Sequence, residues 1–339
     1  MNASPPMISA LGLEEAQSLF QQLPPALRLA TLSPVYVAAD ATRDSALEPV
    51  FLCYREENSF WLHSTHRGRV LDTSWHDLQS AYGYGGPVAS SDDPAFTARA
   101  WSQYREWCRS SGILAEFVRL HPMAGNERFY CGTILDDRMT VAIPLLGTDP
   151  EAAFSTRTRR GIGKAARAGV VAEWHAAEDI RNLFPDFYLR AMEALSADPF
   201  FLFPAAYFEA LSKLPAVRLM VCRKGGEILS MGIFFWGAEI IEYHLGATST
   251  RGKESYSSHL MFKAAADKGR LDGMRWLYMG GGTNGDADNS LLYFKAGFSD
   301  SRFPFRIGYQ IIDPVAYDNL RKSLIASGRA HLKRILFYS

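Results

Sequence analysis

In the second half of the chain, the run Ile240 to Gly246 carries Glu242 and His244 two positions apart. If this run is a strand, its period of two puts both side chains on one face and Tyr243 on the other. An imidazole there is suited to taking the proton of an amine near neutral pH, directly or through water, and Glu242 is the rival base. The competing reading of a strand histidine is a structural residue with its ring satisfied. Further on, Gly281, Gly282 and Thr283 lie in a loop between a strand and a short helix. Small residues at that point bring backbone N–H groups toward a phosphate or a developing oxyanion. Gly280, Gly282 and Gly285 also satisfy GxGxxG, but no second βαβ unit follows, so the glycines read as a turn with close backbone approach rather than a dinucleotide fingerprint.

Cations and aromatic groups form two further patterns. Arg160, Lys164 and Arg167 fall at i, i+4 and i+7 and make one basic stripe along a helix, suited to a pyrophosphate or a tRNA backbone, or simply solvated. Tyr82, Tyr84, Gly85 and Gly86 offer ring surfaces and mobile backbone to a sugar or peptide acceptor; the alternative is a turn packed by two tyrosines. Cys53, Cys108, Cys131 and Cys222 are scattered with no CxxC pair and no His at metal spacing, so neither a metal site nor a disulfide framework is indicated, and reduced thiols in a cytoplasm fit. Neither Cys131 nor Cys222 has the neighbours of a nucleophile.

The elements that must position these groups follow from periodicity. PVFLCY and SFWLH, separated by REEN, read as a hairpin; Asp93 to Ser111 reads as a helix capped by Asp93, with Phe96, Ala100, Tyr104 and Trp107 at helical spacing. EFVRLHP and MTVAIPL are strands, a basic helix covers 157–167, and VVAEWH, VRLMVC, EILSMGIFFW and EIIEYHLGAT are strands with helices over 177–196 and AAYFEALSKL. A helix over 255–270, strand MRWLYM, a short helix near 290–296 and strand FRIGYQII give an α/β finish, and Pro314 opens a terminal helix. The fold class is α+β, with mainly antiparallel sheets carrying helices. At 339 residues two cores are expected, with the seam at Gly147 to Pro150: domains 1–148 and 149–313, then a terminal helix over 314–339. Hydrophobic residues at 47% supply cores of that size, and equal numbers of basic and acidic residues exclude a global attraction to nucleic acid, DNA included, or to anionic membrane. The opening residues lack the pattern of a signal peptide, and the longest apolar run, Ile228 to Trp236, is too short to span a bilayer.

EYHLGATS, a helix, then YMGGGTNGDADNSLLYFKAGFS resembles the Fem-like acyltransferase branch of the GNAT superfamily, in which a glycine loop, a D-x-S-L turn and an F-K-x-x-F element close the second domain. AYGYGGP, FVRLHP, RTRRGIGKAARAGV and ADPFFLFPAAYFEAL agree in order, so the resemblance covers about residues 50 to 310. It implies two tandem GNAT-like domains and acyl transfer to an amine such as an amino sugar, a cell-envelope precursor or a small metabolite. It implies no tightly bound cofactor, with acyl-CoA as the expected co-substrate and aminoacyl-tRNA as the alternative. Lys295 occupies the place of a lysine that stabilises the reacting acyl group or the donor's phosphate, the competing reading being a surface lysine. The resemblance also sets Arg251, with Gly281, Gly282 and Thr283, among donor-binding positions, and Asp288 and Phe294 among acceptor-binding ones. Ordinary GNAT enzymes cradle pyrophosphate on R/Q-x-x-G-x-G/A; the matching stretch here, RGKESYS, keeps only Gly252. A catalytically idle GNAT-like binding protein is the reading from another class.

Overall fold

The computed structural model describes residues 7–147, 149–286, 288–328, 331 and 334–338. Thr148 in the expected seam, Ala287 in the D-A-D-N turn, and parts of both termini lie outside these. In chain order the elements are β1 (Ser9–Ala10), α1 (Leu13–Phe20), α2 (Pro34–Asp40), β2 (Leu47–Glu56), β3 (Ser59–Arg69), β4 (His76–Gln79), β5 (Val88–Ala89), α3 (Pro94–Ser110), β6 (Ile113–Leu120) and β7 (Thr133–Pro144). Then come α4 (Thr156–Arg167), β8 (Val171–His175), α5 (Asp179–Ala194), α6 (Ala205–Leu211), β9 (Val217–Lys224), β10 (Glu227–Trp236) and β11 (Ile240–Thr248). The chain ends with α7 (Thr250–Glu254), α8 (Ser257–Leu271), β12 (Trp276–Gly281), α9 (Ser290–Ala296), β13 (Arg302–Ile311) and α10 (Pro314–Ala326). Local chemistry explains the boundaries. Asp93 accepts from Ala95 and Phe96 N–H to start α3, Ser155 from Thr158 to start α4, and Asp313 from Ala316 to start α10.

The residues form two compact units, Met1–Asp137 with Phe305–Ser339, and Arg138–Pro304. In the first, the sheet order is β1-β2-β3-β4-β6-β13, with β5 beside β3. β4 and β6 are parallel and β13 closes antiparallel to β6. In the second, the order is β8-β9-β10-β11-β12-β7, with β11 and β12 parallel and β7 closing antiparallel to β12. The two sheets therefore repeat one pattern: an antiparallel meander, one parallel step over a helical crossover (α3, or α7 and α8), and an antiparallel closing strand. Each closing strand comes from the other half of the sequence. The core of the second unit gathers Ile143, Ile162, Phe234, Ile241, Phe262, Leu277 and Phe298.

Three sequence expectations change. The seam expected at Gly147 to Pro150 is replaced by divisions at Asp137/Arg138 and Pro304/Phe305, inside β7 and β13, because strand pairing and not turn chemistry fixes the partners. The α/β finish holds only for β11 and β12; β13 pairs with β6. The helix expected over 255–270 is α8, which starts at Ser257, and a further short helix, α7, precedes it, the two separated at Tyr256, whose φ is 58°.

Candidate functional site

β11 and β12 are paired over only three positions, Ile240–Glu242 against Trp276–Tyr278, although β11 runs on to Thr248 and β12 to Gly281. Beyond Glu242, β11 stays zipped to β10 and β12 to β7, so the two parallel strands part. Parting at their carboxyl ends opens a crevice where ligands characteristically sit in parallel sheets.

Lys295 stands at this crevice. It lies on α9, started by Asn289, whose Oδ1 accepts from Leu291 and Leu292 N–H and whose amide donates to Thr283 Oγ1 at 2.8 Å. A Cβ at Gly282 would meet Asn289 Oδ1 at 2.4 Å, so the glycine lets the loop close on the cap. Phe294 and Phe298 pack α9 into the core, and Lys295, only 6% exposed, donates to Gly281 O at 2.8 Å with its Nζ 5.9 Å from the Tyr243 ring. Among the described residues no carboxylate pairs with it. Burial brings its pKa down to about 7. The ammonium is thus poised to gain from any negative charge that develops beside it.

Glu242 and His244 share a face of β11, as their spacing implies, but it is the face away from Tyr243 and Lys295. Tyr243 packs on Phe234 and Phe262, whereas His244 stacks on Phe235 with centroids 4.6 Å apart and its Nε2 is 2.7 Å from Tyr207 Oη. Glu242 is buried on that side. Lys295 and the two base candidates are thus not brought to one atom.

Arg160, Lys164 and Arg167 are exposed along α4 as a stripe. Lys164 lies 4.9 Å from the centroid of the Tyr256 ring and donates to its hydroxyl at 3.3 Å. Arg251, also exposed, pairs with Glu227 at 2.7 Å. Glu254 ends α7 and Tyr256 stands in the turn before α8, at the two places where the R/Q-x-x-G-x-G/A pattern has small residues, and Tyr256 adopts the left-handed backbone with its side chain over Lys164. Thr283 and Asp288 are exposed in the loop before α9, and Phe294 is half-buried.

Tyr82, Tyr84, Gly85 and Gly86 belong to the first unit. There the parallel pair does not part: Ser80 N–H donates to Phe117 O, Gly85 N–H to Arg119 O, and Ser80 Oγ accepts from Arg119 N–H. Tyr84 packs on His121 and Phe305, and Gly86, at φ 95°, sits where a Cβ would meet Leu120 at 2.8 Å. The loop zips shut the place that stands open in the second unit.

Tyr207, and the place of Tyr243 beside Lys295, escaped sequence reasoning because single tyrosines in apolar runs carry no signal of their long-range partners. His259 was missed too. It is wedged among Tyr256, Phe294 and Gly161, and burial with the nearby Arg157 charge lowers its pKa to about 4. Three cysteines are buried and Cys131 is exposed; all four are free. Among the described residues no cluster of His, Cys, Asp or Glu could hold a metal, and no helix is long and apolar enough to cross a membrane.

No protein-family model matches the sequence, and no curated protein is similar to it. Solved structures are similar in fold. FemX superposes with a TM-score of 0.68 at 12% identity, covering 92% of this chain and 99% of that one. The C-terminal domain of a putative lysylphosphatidylglycerol synthetase from Agrobacterium fabrum gives 0.58 at 15% identity, over 93% and 98%. A tandem GNAT protein from the clavulanic acid biosynthesis pathway gives 0.53 at 10%, over 91% and 99%. Together with the repeated strand pattern, these likenesses show that the chain has a tandem GNAT-like fold of the kind found in FemX.

Proposed function

We propose that the chain is an N-acyltransferase that moves an acyl group from an activated ester to an amine at the crevice between β11 and β12. The observation that carries this reading is Lys295, an enclosed amine with no carboxylate partner among the described residues, beside parted strands. A neutral amine attacks the ester carbonyl, the C–N bond forms as the bond to the leaving group breaks, and the amine's proton departs to solvent or the leaving group. Lys295 as an ammonium stabilises the oxyanion, most effectively where water is excluded. Glu242 and His244, facing away from Lys295, act on the proton only through intervening water. The names of the neighbours, FemX, a lysylphosphatidylglycerol synthetase domain and a GNAT protein, support group transfer as the class of chemistry.

Acyl-CoA is the donor expected from the resemblance. Aminoacyl-tRNA is the second reading, favoured by Glu254 and Tyr256 standing where a pyrophosphate cradle needs glycines and by the exposed basic stripe on α4. Thermal unfolding with CoA, acetyl-CoA and a longer acyl-CoA separates the two, since a ligand at 100 times its dissociation constant adds about 2.7 kcal/mol to the folded state. A clear rise establishes a CoA donor; no rise moves the donor to aminoacyl-tRNA. With the donor in hand, Lys295→Ala is expected to fold and to lose about 100-fold or more in turnover. Unchanged turnover sinks the role of Lys295, and failure to bind either donor leaves a non-catalytic binding protein.

A further inference from the structure

Beyond α10, residues 334–338 lie as a strap across the apolar face of the first unit that holds Val70, Leu114 and Tyr317. Phe337 is fully buried there and Leu336 nearly so. Tyr317 Oη donates to Ile335 O at 2.7 Å and His331 N–H to Phe337 O at 2.8 Å, which fastens the strap by few bonds. Under it sits a carboxyl without a counter-charge. Asp77 of β4 is 3% exposed, and Tyr338 is the strap side chain that faces it. Asp77 Oδ1 and Tyr338 Oη are both buried, and neither makes a hydrogen bond.

The surroundings of Asp77 are built for a neutral acid. Its cross-strand neighbour on β3 is Gly68, where a Cβ would come within 2.9 Å of Oδ1, so the carboxyl has room only because that residue is glycine. Its partner on β6 is Ala115. By the period of two, Arg67, Arg69 and His76 point to the opposite face, with Glu48 beside them. Glu116, the residue after Ala115, turns to that face as well, where His63 Nε2 is 2.7 Å away and Gln310 Nε2 donates to it at 2.8 Å. On α10, Asp318 and Arg321 bear on Tyr317 rather than on Asp77. Burial, with no cation to oppose it, pushes the Asp77 carboxyl up to about 7. Burial and the nearby Asp77 raise the Tyr338 phenol, so it remains neutral.

We infer that residues 334–338 are a pH-released strap, closed while Asp77 carries its proton and freed when that proton leaves for solvent and water must reach the carboxylate. The device is independent of the acyl-transfer reading. The strap is the part that yields, because β4 is paired on both sides, to β3 and to β6. Its release uncovers Val70, Leu114 and the Tyr317 ring. The direction follows from linkage. Once open, Asp77 titrates near its ordinary 3.8, so between that value and about 7 the closed form holds a proton that the open form lacks. Each pH unit in that window favours opening by about tenfold, and above about 7 the dependence levels off.

Hydrogen exchange of the full chain, read by mass spectrometry on the peptide spanning 331–338 with labelling times scaled to the intrinsic rate, measures the opening equilibrium. It is expected to rise tenfold or more from pH 5 to pH 7 and to change little from pH 8 to pH 9. Asp77→Asn, neutral at every pH and close to the same shape, should remove this rise; any contribution from the exposed His331 is common to both proteins and cancels. Peptides of β2 and β3 in the same spectra should keep constant protection. A parent profile flat in pH, or an equal rise in Asp77→Asn, overturns Asp77 as the trigger. A rise shared equally by β2 and β3 overturns the strap as a separate element, since the whole unit then opens together.

Discussion

Lys295 carries a signature that needs no substrate. With its pKa brought from 10.5 to about 7 by burial, the folded protein gives up a proton that the unfolded chain keeps between those values, so stability rises with pH across that window. Below about pH 7 both states hold the charge and the cost of enclosing it is borne in full. Lys295→Met should therefore gain most over the parent chain near pH 6, with the margin shrinking toward pH 10; urea titrations along that range measure it. Loss of the bond to Gly281 O is a constant offset, so the slope is what counts, and a margin independent of pH refutes the enclosed ammonium. Much at this scale was legible: the strand period foretold that Glu242 and His244 share a face. That Lys295 lies on the opposite face was not, since it depends on which side of the sheet α9 packs. Glu116 and Gln310 gave no signal at all, because 194 residues separate them and only strand pairing sets them side by side.

Among the elements, the turn between α7 and α8 repays attention to one torsion. A side chain held in the left-handed region costs about 1–2 kcal/mol, and Tyr256 does so while its ring covers Lys164 and its neighbour Glu254 adds a negative charge. Replacing both by glycine restores the R-x-x-G-x-G spacing after Arg251. The double variant is expected to bind acetyl-CoA about tenfold or more tightly than the parent chain, with stability changed by about 1 kcal/mol or less as relief of strain offsets lost packing. Calorimetric titration decides; equal affinities mean that the turn does not set donor choice. Most helices and strands were legible from apolar period and caps, as with Asp93 before α3. The break at Tyr256 was not, because neither glycine nor proline marks it.

For the whole molecule, the unequal continuity of the two units makes a direct prediction. Residues 138–304 form one uninterrupted stretch with all of their sheet from β8 to β12 and the paired end of β7, whereas residues 1–137 lack β13 and α10. Expressed alone, 138–304 should give dispersed amide proton resonances and a cooperative melt. The piece 1–137, with the β6 edge unpaired and Leu114 and Ala115 stripped of the Tyr317 and Phe337 cover, should not fold until 305–339 is supplied. A folded 1–137 fragment would contradict this. Neither exchange of closing strands was legible, since β7 and β13 read as ordinary strands wherever they pair. The arrangement also sets an order of events on the ribosome. Although its residues emerge first, the leading unit must wait on the order of ten seconds or more for its last strand to be made, while the later unit has every strand as soon as it leaves the tunnel. The usual sequence of maturation is inverted: the part synthesised second is finished first, and until β13 emerges the nascent chain presents an open sheet edge for a chaperone to guard.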